Sequence, residues 1–326
     1  MKISVLIPVY NVKPYLDECI ESVFANIRTD VEMILVDDGS ADGSSELCDA
    51  WAAKDPRIRV HHQTNQGVSA ARNKAMDLAQ GDYLYFIDGD DRCLCPFFDE
   101  MGENDMLVAG FQQGRRKVVP RKKAEGTDNP ALSFLKEDVR CCMGSFVFKT
   151  SLVRENDIRF DKKYTHGEDL EFMLKLFLVA KSVKIYFQPV LDYRVVPTSA
   201  MRKVTFKRFD IYFSRRDLIP YCAEKGNTAA ADYLENYSCV EAIVVCAREL
   251  SRSDVPAREL KTFLSQHPDM GETLRKGAAN TSLPSSLRSS AARLVRSPWL
   301  FKMHTKGQYM MYDLRAFLGR IKRRMT

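Results

Sequence analysis

Short apolar runs alternate with helical periodicities over the first part of the chain. The uninterrupted apolar run at residues 3–8 is typical of a strand that is buried on both faces of a parallel sheet. It is followed by a helical period with apolar residues on one face, at Leu16, Ile20, Val23, Phe24 and Ile27. Strand-like runs at 32–36, 58–61 and 83–87, with an amphipathic helix over 68–78, continue the alternation. Repeated β-α units predict an open, mostly parallel sheet with right-handed crossovers.

The alternation becomes less regular after residue 100. Strands are predicted at 106–111 and 142–149, and the basic, polar stretch between them, 115–130, reads as a surface excursion. A strongly apolar helix over 170–180 and a strand over 183–187 follow. The pattern therefore favours antiparallel additions to the mostly parallel sheet.

Strand signals end near Thr205, and the remaining sequence has helical periodicity. Helices are predicted at 209–222, 229–250, 257–264, 287–295 and 308–324. This change divides the chain into an α/β domain at residues 1–204 and a helical domain at 205–326. A length of 326 residues agrees with two domains rather than one.

Polar or acidic residues follow three of the four N-terminal strands, at residues 8–11, 37–40 and 88–91. Because the carboxyl ends of parallel strands meet at one edge of the sheet, these segments are predicted to converge on one site. Asp88 and Asp90 lie one residue apart and repel each other unless a cation lies between them. Carboxylate oxygens suit Mg²⁺ or Mn²⁺ held together with substrate phosphates, which indicates a nucleotide diphosphate.

Other phosphate-binding classes are not indicated. The chain has no GxxxxGK[ST] loop and no GxGxxG after the first strand, which argues against a P-loop enzyme and a dinucleotide enzyme. A second acidic site, Glu168 and Asp169, begins the apolar helix over 170–180, where the helix N-terminus stabilises a carboxylate. It is either an ordinary helix start or a general base for an acceptor hydroxyl.

Five segments, residues 4–11, 34–40, 67–73, 85–91 and 167–169, resemble the successive signatures of family 2 glycosyltransferases, which are bacterial enzymes with the GT-A fold. The resemblance covers roughly residues 1–200. It implies that Pro8 and Tyr10 line the nucleotide, with Tyr10 near the uracil. It also implies that Asp38 hydrogen-bonds the uracil edge and that Arg72 supports this pocket.

The same resemblance assigns the carboxylates. Asp88 is expected to face the ribose and diphosphate and to contribute to the metal site, and Asp90 is expected to bind the metal. Asp169 is the expected catalytic base, and Glu168 beside it would help to bind the acceptor. His166 is a further candidate contact for the acceptor or a phosphate, with a structural or solvent-facing histidine as the alternative.

The implied reaction is transfer of a sugar, with inversion, from a UDP-sugar to a glycan or lipid-linked acceptor during assembly of surface polysaccharide or glycoconjugate. Mn²⁺ or Mg²⁺ would stabilise the departing diphosphate. Two alternatives differ in class. A sugar-nucleotide pyrophosphorylase would need a Gly-rich, basic N-terminal loop, which residues 8–11 do not form, and a non-catalytic sugar-nucleotide or RNA-binding module gains support only from the basic C-terminus.

The basic charge is concentrated at the C-terminus. Residues 286–326 contain ten Lys and Arg against Asp313 alone, a net charge of +9, while the whole chain carries +6. Apolar residues recur there at helical spacing, at Met310, Leu314, Phe317 and Ile321, with Trp299 and Phe301 as aromatic anchors upstream. This pattern predicts either a helix lying on an anionic membrane surface or a helix packed on the catalytic domain with a basic end.

Localisation is predicted from the absence of targeting signals. No apolar run approaches the roughly 20 residues needed to span a bilayer, and the first apolar stretch stops at Pro8, unlike a signal peptide. The odd count of nine cysteines favours a reducing compartment. The prediction is therefore a cytoplasmic protein with no nucleic-acid partner. Docking on the inner face of the cytoplasmic membrane applies only under the first of the two alternatives for the basic helix.

Overall fold

The computed structural model describes residues 2–27, 30–196 and 204–309. The chain divides into two compact units. Among the described residues, the first unit comprises 2–164 and 168–196, and the second comprises 165–167 and 204–309.

The first unit begins with alternating strands and helices, as the apolar pattern predicts. These are β1 (Lys2–Val9), α1 (Lys13–Asn26), β2 (Asp30–Asp37), α2 (Ser44–Lys54), β3 (Ile58–His62), α3 (Val68–Leu78) and β4 (Tyr83–Phe86). Strand β1 pairs in parallel with β2 and β4, and β2 pairs in parallel with β3. Every residue of β1 from Ile3 to Val9 is buried, as expected of a strand that is covered on both faces.

The second part of this unit extends the sheet. It consists of β5 (Arg92–Cys93), β6 (Met106–Gln113), β7 (Arg116–Val118), α4 (Pro130–Leu135), β8 (Phe146–Lys149), α5 (Thr150–Glu155), α6 (Glu168–Val179) and β9 (Val183–Asp192). The strand order is β3-β2-β1-β4-β8-β6-β9-β5, with β7 paired to β6. Strand β8 is antiparallel to both β4 and β6. The predicted antiparallel additions are thus confirmed.

The polar stretch at 115–130 is more ordered than the sequence pattern indicates. It contains β7, which forms a hairpin with β6 across Gly114, a residue with a φ of 58°. It ends at Asn129, whose side-chain oxygen accepts the backbone N–H of Leu132 and caps α4. A short strand without alternation and a six-residue helix give weak periodic signals, so the pattern concealed both.

The second unit is helical. It contains α7 (Asp210–Glu224), α8 (Thr228–Tyr233), α9 (Cys239–Arg252), α10 (Ala257–Gln266), α11 (Pro268–Ala279), α12 (Ser285–Arg296) and a further helix over 298–309. A π-helical turn at Leu234–Ser238 joins α8 to α9, so the single helix predicted over 229–250 contains a local irregularity. The core of this unit includes Phe209, Ile243 and Leu274. Most of the predicted 308–324 helix lies outside the described residues.

Helix α11 was missed because glycines at 271 and 277 weaken its helical signal, and these two glycines differ in their surroundings. A Cβ at Gly277 would lie 2.6 Å from Val240 Cγ1 and 2.7 Å from Cγ2, whereas a Cβ at Gly271 would meet only the Arg275 guanidinium, 3.6 Å away. Gly277 therefore allows α11 to approach α9 closely.

We expect Gly277→Ala to lower the free energy of unfolding by about 1–3 kcal/mol, because a methyl group there overpacks the core. The matched variant Gly271→Ala, on the same helix, should raise it by about 0.5–1 kcal/mol through helix propensity. Urea titrations of both variants measure the difference. Equal stabilities would show that the α9–α11 contact tolerates the extra carbon.

No helix among residues 2–27, 30–196 and 204–309 is long and apolar enough to cross a membrane.

Candidate functional site

The loops that follow β1 and β2 are joined by hydrogen bonds at one edge of the sheet. Asn11, which has a φ of 52°, accepts the backbone N–H of Ala41 on its side-chain oxygen at 2.9 Å and donates its own N–H to Ser40 Oγ at 3.1 Å. Pro8 is buried within β1, and Tyr10 is exposed beside this junction. The expected convergence of the two loops is therefore present, while the nucleotide-binding roles of Pro8 and Tyr10 remain predictions.

Asp38 organises the loop that leads into α3. It is buried, and its Oδ1 accepts the side-chain amide of Gln63 and the backbone N–H of Gln66, each at 2.8 Å. Its Oδ2 accepts the backbone N–H of Gly67 at 2.8 Å. The carboxylate thus fixes the chain just before α3, and a bond to uracil, which stays a prediction, would add to these three.

A hydrogen bond between Asp37 and His62 also stabilises this edge of the sheet, and the sequence did not predict it. The two residues are opposite each other in the parallel register of β2 and β3, and Asp37 Oδ2 lies 3.0 Å from His62 Nδ1. Burial alone would raise the pKa of Asp37, but hydrogen bonds from Ser40 and His62 outweigh burial and lower it. The pKa of His62 is raised by its bonds to Asp37 and Asp49. This pair anchors the turn at 37–40 to the neighbouring strand.

Arg72 of α3 connects two carboxylates from distant parts of the chain. Its guanidinium is buried; Nη2 donates to Asp88 Oδ1 at 2.9 Å, and Nη1 donates to Asp169 Oδ1. Asp88 lies two residues after the end of β4, and Asp169 lies in the first turn of α6. Burial alone would lower the pKa of Arg72, but the charges of Asp169 and Asp88 raise it above the ordinary value. The expected place of Arg72 in a uracil pocket remains a prediction.

One donor atom of the Arg72 guanidinium makes no hydrogen bond within the described residues. Arg72 Nε is buried and has no hydrogen-bond partner within the described part of the chain. The guanidinium packs against the Phe160 ring, with its Cζ 5.3 Å from the ring centroid. Arg72 therefore has an apolar neighbour, two anionic partners and one donor still to be satisfied.

The acidic cluster after β4 carries more negative charge than its surroundings neutralise. Burial and the charge of Asp88 raise the pKa of Asp90 to about 6. Burial and the same charge raise the pKa of Asp91 to about 9, although Asp91 accepts the backbone N–H of Arg194 at 2.8 Å. Such raised values mean that a proton or a cation stabilises the cluster.

The donor set of this cluster fits a hard divalent cation. It supplies carboxylate oxygens, which Mg²⁺ and Mn²⁺ prefer, and these ions take their remaining ligands from water and substrate phosphates. No group of three or more His, Cys, Asp or Glu side chains forms a complete metal site in residues 2–27, 30–196 and 204–309. A metal ion at this cluster would therefore need ligands from outside these side chains.

A surface ion-pair network surrounds the cluster and was not found from the sequence. Arg194 pairs with Glu18 at 2.5 Å, and Glu18 also pairs with Arg92. The charge of Arg194 partly offsets the raised pKa of Asp90. The only sign of this network in the sequence is a basic residue, Arg194, two positions after the end of β9. Basic residues after strands are too common to indicate a site.

The second acidic site lies at the start of α6. Burial and the charge of Asp169 raise the pKa of Glu168 to about 7. Burial also raises the pKa of Asp169, and Arg72 opposes that shift. His166 belongs to the second unit, where burial and the charge of Arg208 lower its pKa. Its expected contact with an acceptor stays a prediction.

Comparison with known proteins shows which proteins this chain resembles. Residues 4–150 match the family described as Glycosyl transferase family 2. The uncharacterized glycosyltransferase EpsJ of Bacillus subtilis is 32% identical over 214 residues, covering 60% of this chain and 62% of EpsJ. The putative glycosyltransferase EpsH of the same organism is 28% identical over 223 residues, covering 64% and 65%. The matches thus span just under two thirds of these curated relatives.

Solved structures extend the likeness over most of the chain. The crystal structure of residues 1–349 of TarS from S. aureus superposes with a TM-score of 0.70 and 20% identity, covering 95% of this chain and 92% of that one. The same protein in complex with UDP-GlcNAc gives a TM-score of 0.65. These likenesses confirm the GT-A fold with a helical C-terminal region. Residues 4–150, within the N-terminal α/β unit, are thus similar to glycosyltransferase family 2.

Proposed function

We propose that this protein is a metal-dependent, inverting glycosyltransferase that moves a sugar from a UDP-sugar to a hydroxyl of a glycan or lipid-linked acceptor. Its place would be the assembly of surface polysaccharide or glycoconjugate. The similarity of residues 4–150 to glycosyltransferase family 2 supports the reaction class, and the solved complex of TarS with UDP-GlcNAc supports a UDP-sugar donor. The relatives named above are glycosyltransferases by description, which agrees with this class.

The observation that carries the proposal is the Arg72 bridge between Asp88 and Asp169. In the proposed reaction Asp88 lies on the donor side and Asp169 takes the acceptor proton, so the two must be near each other. A shared guanidinium holds both carboxylates within one side chain's reach and fixes their orientation. Attack at the anomeric carbon needs this proximity between the base and the donor.

Asp169 is the better of the two α6 carboxylates for the base. Both carboxylates have a raised pKa, which favours accepting a proton from an acceptor hydroxyl, and Asp169 is in addition oriented by a hydrogen bond from Arg72. Arg72 donates to Asp169 Oδ1 and fixes that oxygen. The second carboxylate oxygen, Oδ2, is then available to the acceptor hydroxyl. Glu168, with a pKa of about 7, can donate a hydrogen bond when protonated and accept one when ionised, which suits a contact to sugar hydroxyls.

Asp90 and Asp88 would hold the metal together with diphosphate oxygens. When bound, Mn²⁺ or Mg²⁺ supplies Lewis-acid stabilisation of the leaving diphosphate. The raised pKa of Asp90 supports this assignment because a cation would relieve the repulsion that raises it. The protein's own part is to present these carboxylates at the strand edge and to hold Asp88 through Arg72.

Calorimetry with UDP, in the presence and absence of Mn²⁺, tests the proposal. We expect metal-dependent binding that Asp90→Asn weakens by more than the roughly 10–100-fold that loss of an outer-shell metal partner costs. Asp99→Asn, at an exposed carboxylate in the same unit, is the control and should bind as the unchanged protein does.

Three results would contradict the proposal. If UDP bound equally well with and without metal, donor binding would not depend on a metal ion. Formation of a nucleotide sugar from a nucleoside triphosphate and a sugar phosphate would identify a pyrophosphorylase. Tight RNA binding with a steep salt dependence and no nucleotide effect would indicate a nucleic-acid module.

A further inference from the structure

Exposed apolar side chains are concentrated at the end of the described chain. Four of the eight exposed large apolar side chains of the described residues lie within nine positions: Val295, Trp299, Leu300 and Met303. Trp299 is 59% exposed, Met303 54% and Leu300 44%. Single exposed apolar residues need no explanation, but a cluster that includes a tryptophan marks an interaction surface.

The 298–309 helix is apolar on its outer face as well as on its inner face. Phe301 and Thr305, four residues apart, are buried with exposures of 1% and 2%, so they mark the side that packs into the second unit. Trp299 and Met303, also four residues apart, share a different face and are exposed. Phe301, expected as a membrane anchor, is therefore a core residue, whereas Trp299 is free to contact a partner.

The segment that carries this face has charges of one sign. Residues 286–309 contain five Lys and Arg and no Asp or Glu. Arg296 and Lys306 are exposed, and Lys306 follows Met303 by one helical turn. A face that combines an exposed tryptophan, aliphatic residues and cations matches the headgroup region of an anionic bilayer, where indole rings sit at the interface and cations meet lipid phosphates.

We propose that this surface, formed by Val295, Trp299, Leu300 and Met303 with Arg296 and Lys306, docks the second unit on an anionic lipid bilayer. The interfacial site thus lies at the end of α12 and on the 298–309 helix, upstream in sequence of the apolar positions at 310–321. Docking by this face does not depend on the transfer reaction and can be tested without a donor or an acceptor.

Tryptophan fluorescence isolates this face, because the chain has two tryptophans and the other, Trp51, lies in the first unit. In Trp51→Phe, emission comes from Trp299 alone. We expect a blue shift on adding vesicles of phosphatidylcholine with phosphatidylglycerol, and none with phosphatidylcholine alone. Trp299→Phe, which retains Trp51, should show no shift.

Co-sedimentation with the same vesicles measures affinity in the chain with both tryptophans. Arg296→Gln with Lys306→Gln should weaken binding about 25-fold, roughly fivefold for each charge. The charge-matched control, Lys162→Gln with Lys225→Gln, should bind as the unchanged protein does. If the protein sedimented with anionic vesicles but Trp299 emission stayed unshifted, another part of the chain would bind and the proposal would be wrong. It would equally be wrong if the protein sedimented with neither kind of vesicle. A further variant, Trp299→Ser, should weaken vesicle binding; if it left vesicle binding unchanged and only dissociated an oligomer, the face would be an interface between copies of the chain and the proposal would be wrong.

Discussion

Replacing Arg72 with methionine is expected to lower the free energy of unfolding by about 2 kcal/mol and to reduce transfer by about 100-fold. The guanidinium is buried, and its removal leaves Asp88 and Asp169 facing each other without a cation. The loss is moderate because the Asp88 and Asp169 side chains are 33% and 43% exposed, so water partly replaces the lost partner. The activity falls because the position of Asp169 is no longer fixed.

The loss of stability in Arg72→Met is expected to depend on pH. Without Arg72, the pKa of Asp169 rises further above its ordinary value, so the folded variant binds a proton that the unfolded chain has released. Stability then decreases as pH rises through the interval between the unfolded and folded pKa values. The stability deficit of Arg72→Met should therefore be largest at neutral pH and shrink towards pH 4, as measured by urea titration at several pH values.

Two further variants control this result. Arg72→Lys keeps the charge but presents a point donor instead of a fork, so it should recover much of the stability and little of the activity. Arg59→Met removes a half-exposed arginine that pairs with Glu32, and should cost less than about 1 kcal/mol with unchanged turnover. If Arg72→Met retained full activity, the bridge would be structural only.

Ordered local motifs made the site predictable, whereas its internal connections required the fold. Asp88 and Asp90 could be found because a strand and an acidic turn are adjacent in sequence. That Asp88 meets Asp169 through Arg72 depends on where α3 and α6 lie against the sheet, which no local pattern encodes. The Asp37–His62 contact likewise depends on the register of β2 and β3.

The helical unit shows the same limit in another form. The sequence marks Trp299 and Phe301 alike as aromatic anchors upstream of the helical period at 310–321. Only packing decides that Phe301 and Thr305 face the core while Trp299 and Met303 face outward. Helix α11 was not predicted because Gly277 lowers its helical signal. Glycine occupies this position because Val240 of α9 packs against it. Composition therefore predicts the class of an element better than the direction of its faces.

Asp169→Asn is expected to lower the rate of transfer by about 10²–10⁴-fold while leaving UDP binding unchanged. Asparagine keeps the shape and the side-chain oxygen that accepts from Arg72, but it cannot take a proton from the acceptor hydroxyl. Single-turnover kinetics with a UDP-sugar and calorimetry with UDP measure the two effects separately. Asp99→Asn serves again as the control and should transfer at the normal rate.

The companion variant Glu168→Gln decides which carboxylate of α6 is the base. Burial and the charge of Asp169 raise the pKa of Glu168, and because the two carboxylates are adjacent, the acid limb of the rate profile belongs to the pair. Removing the Glu168 charge should lower the pKa of Asp169 and move the acid limb to lower pH, with weakened acceptor binding and a largely retained maximal rate. If Glu168→Gln abolished transfer and Asp169→Asn did not, Glu168 would be the base, and the Arg72 bridge would then position the neighbour of the base rather than the base.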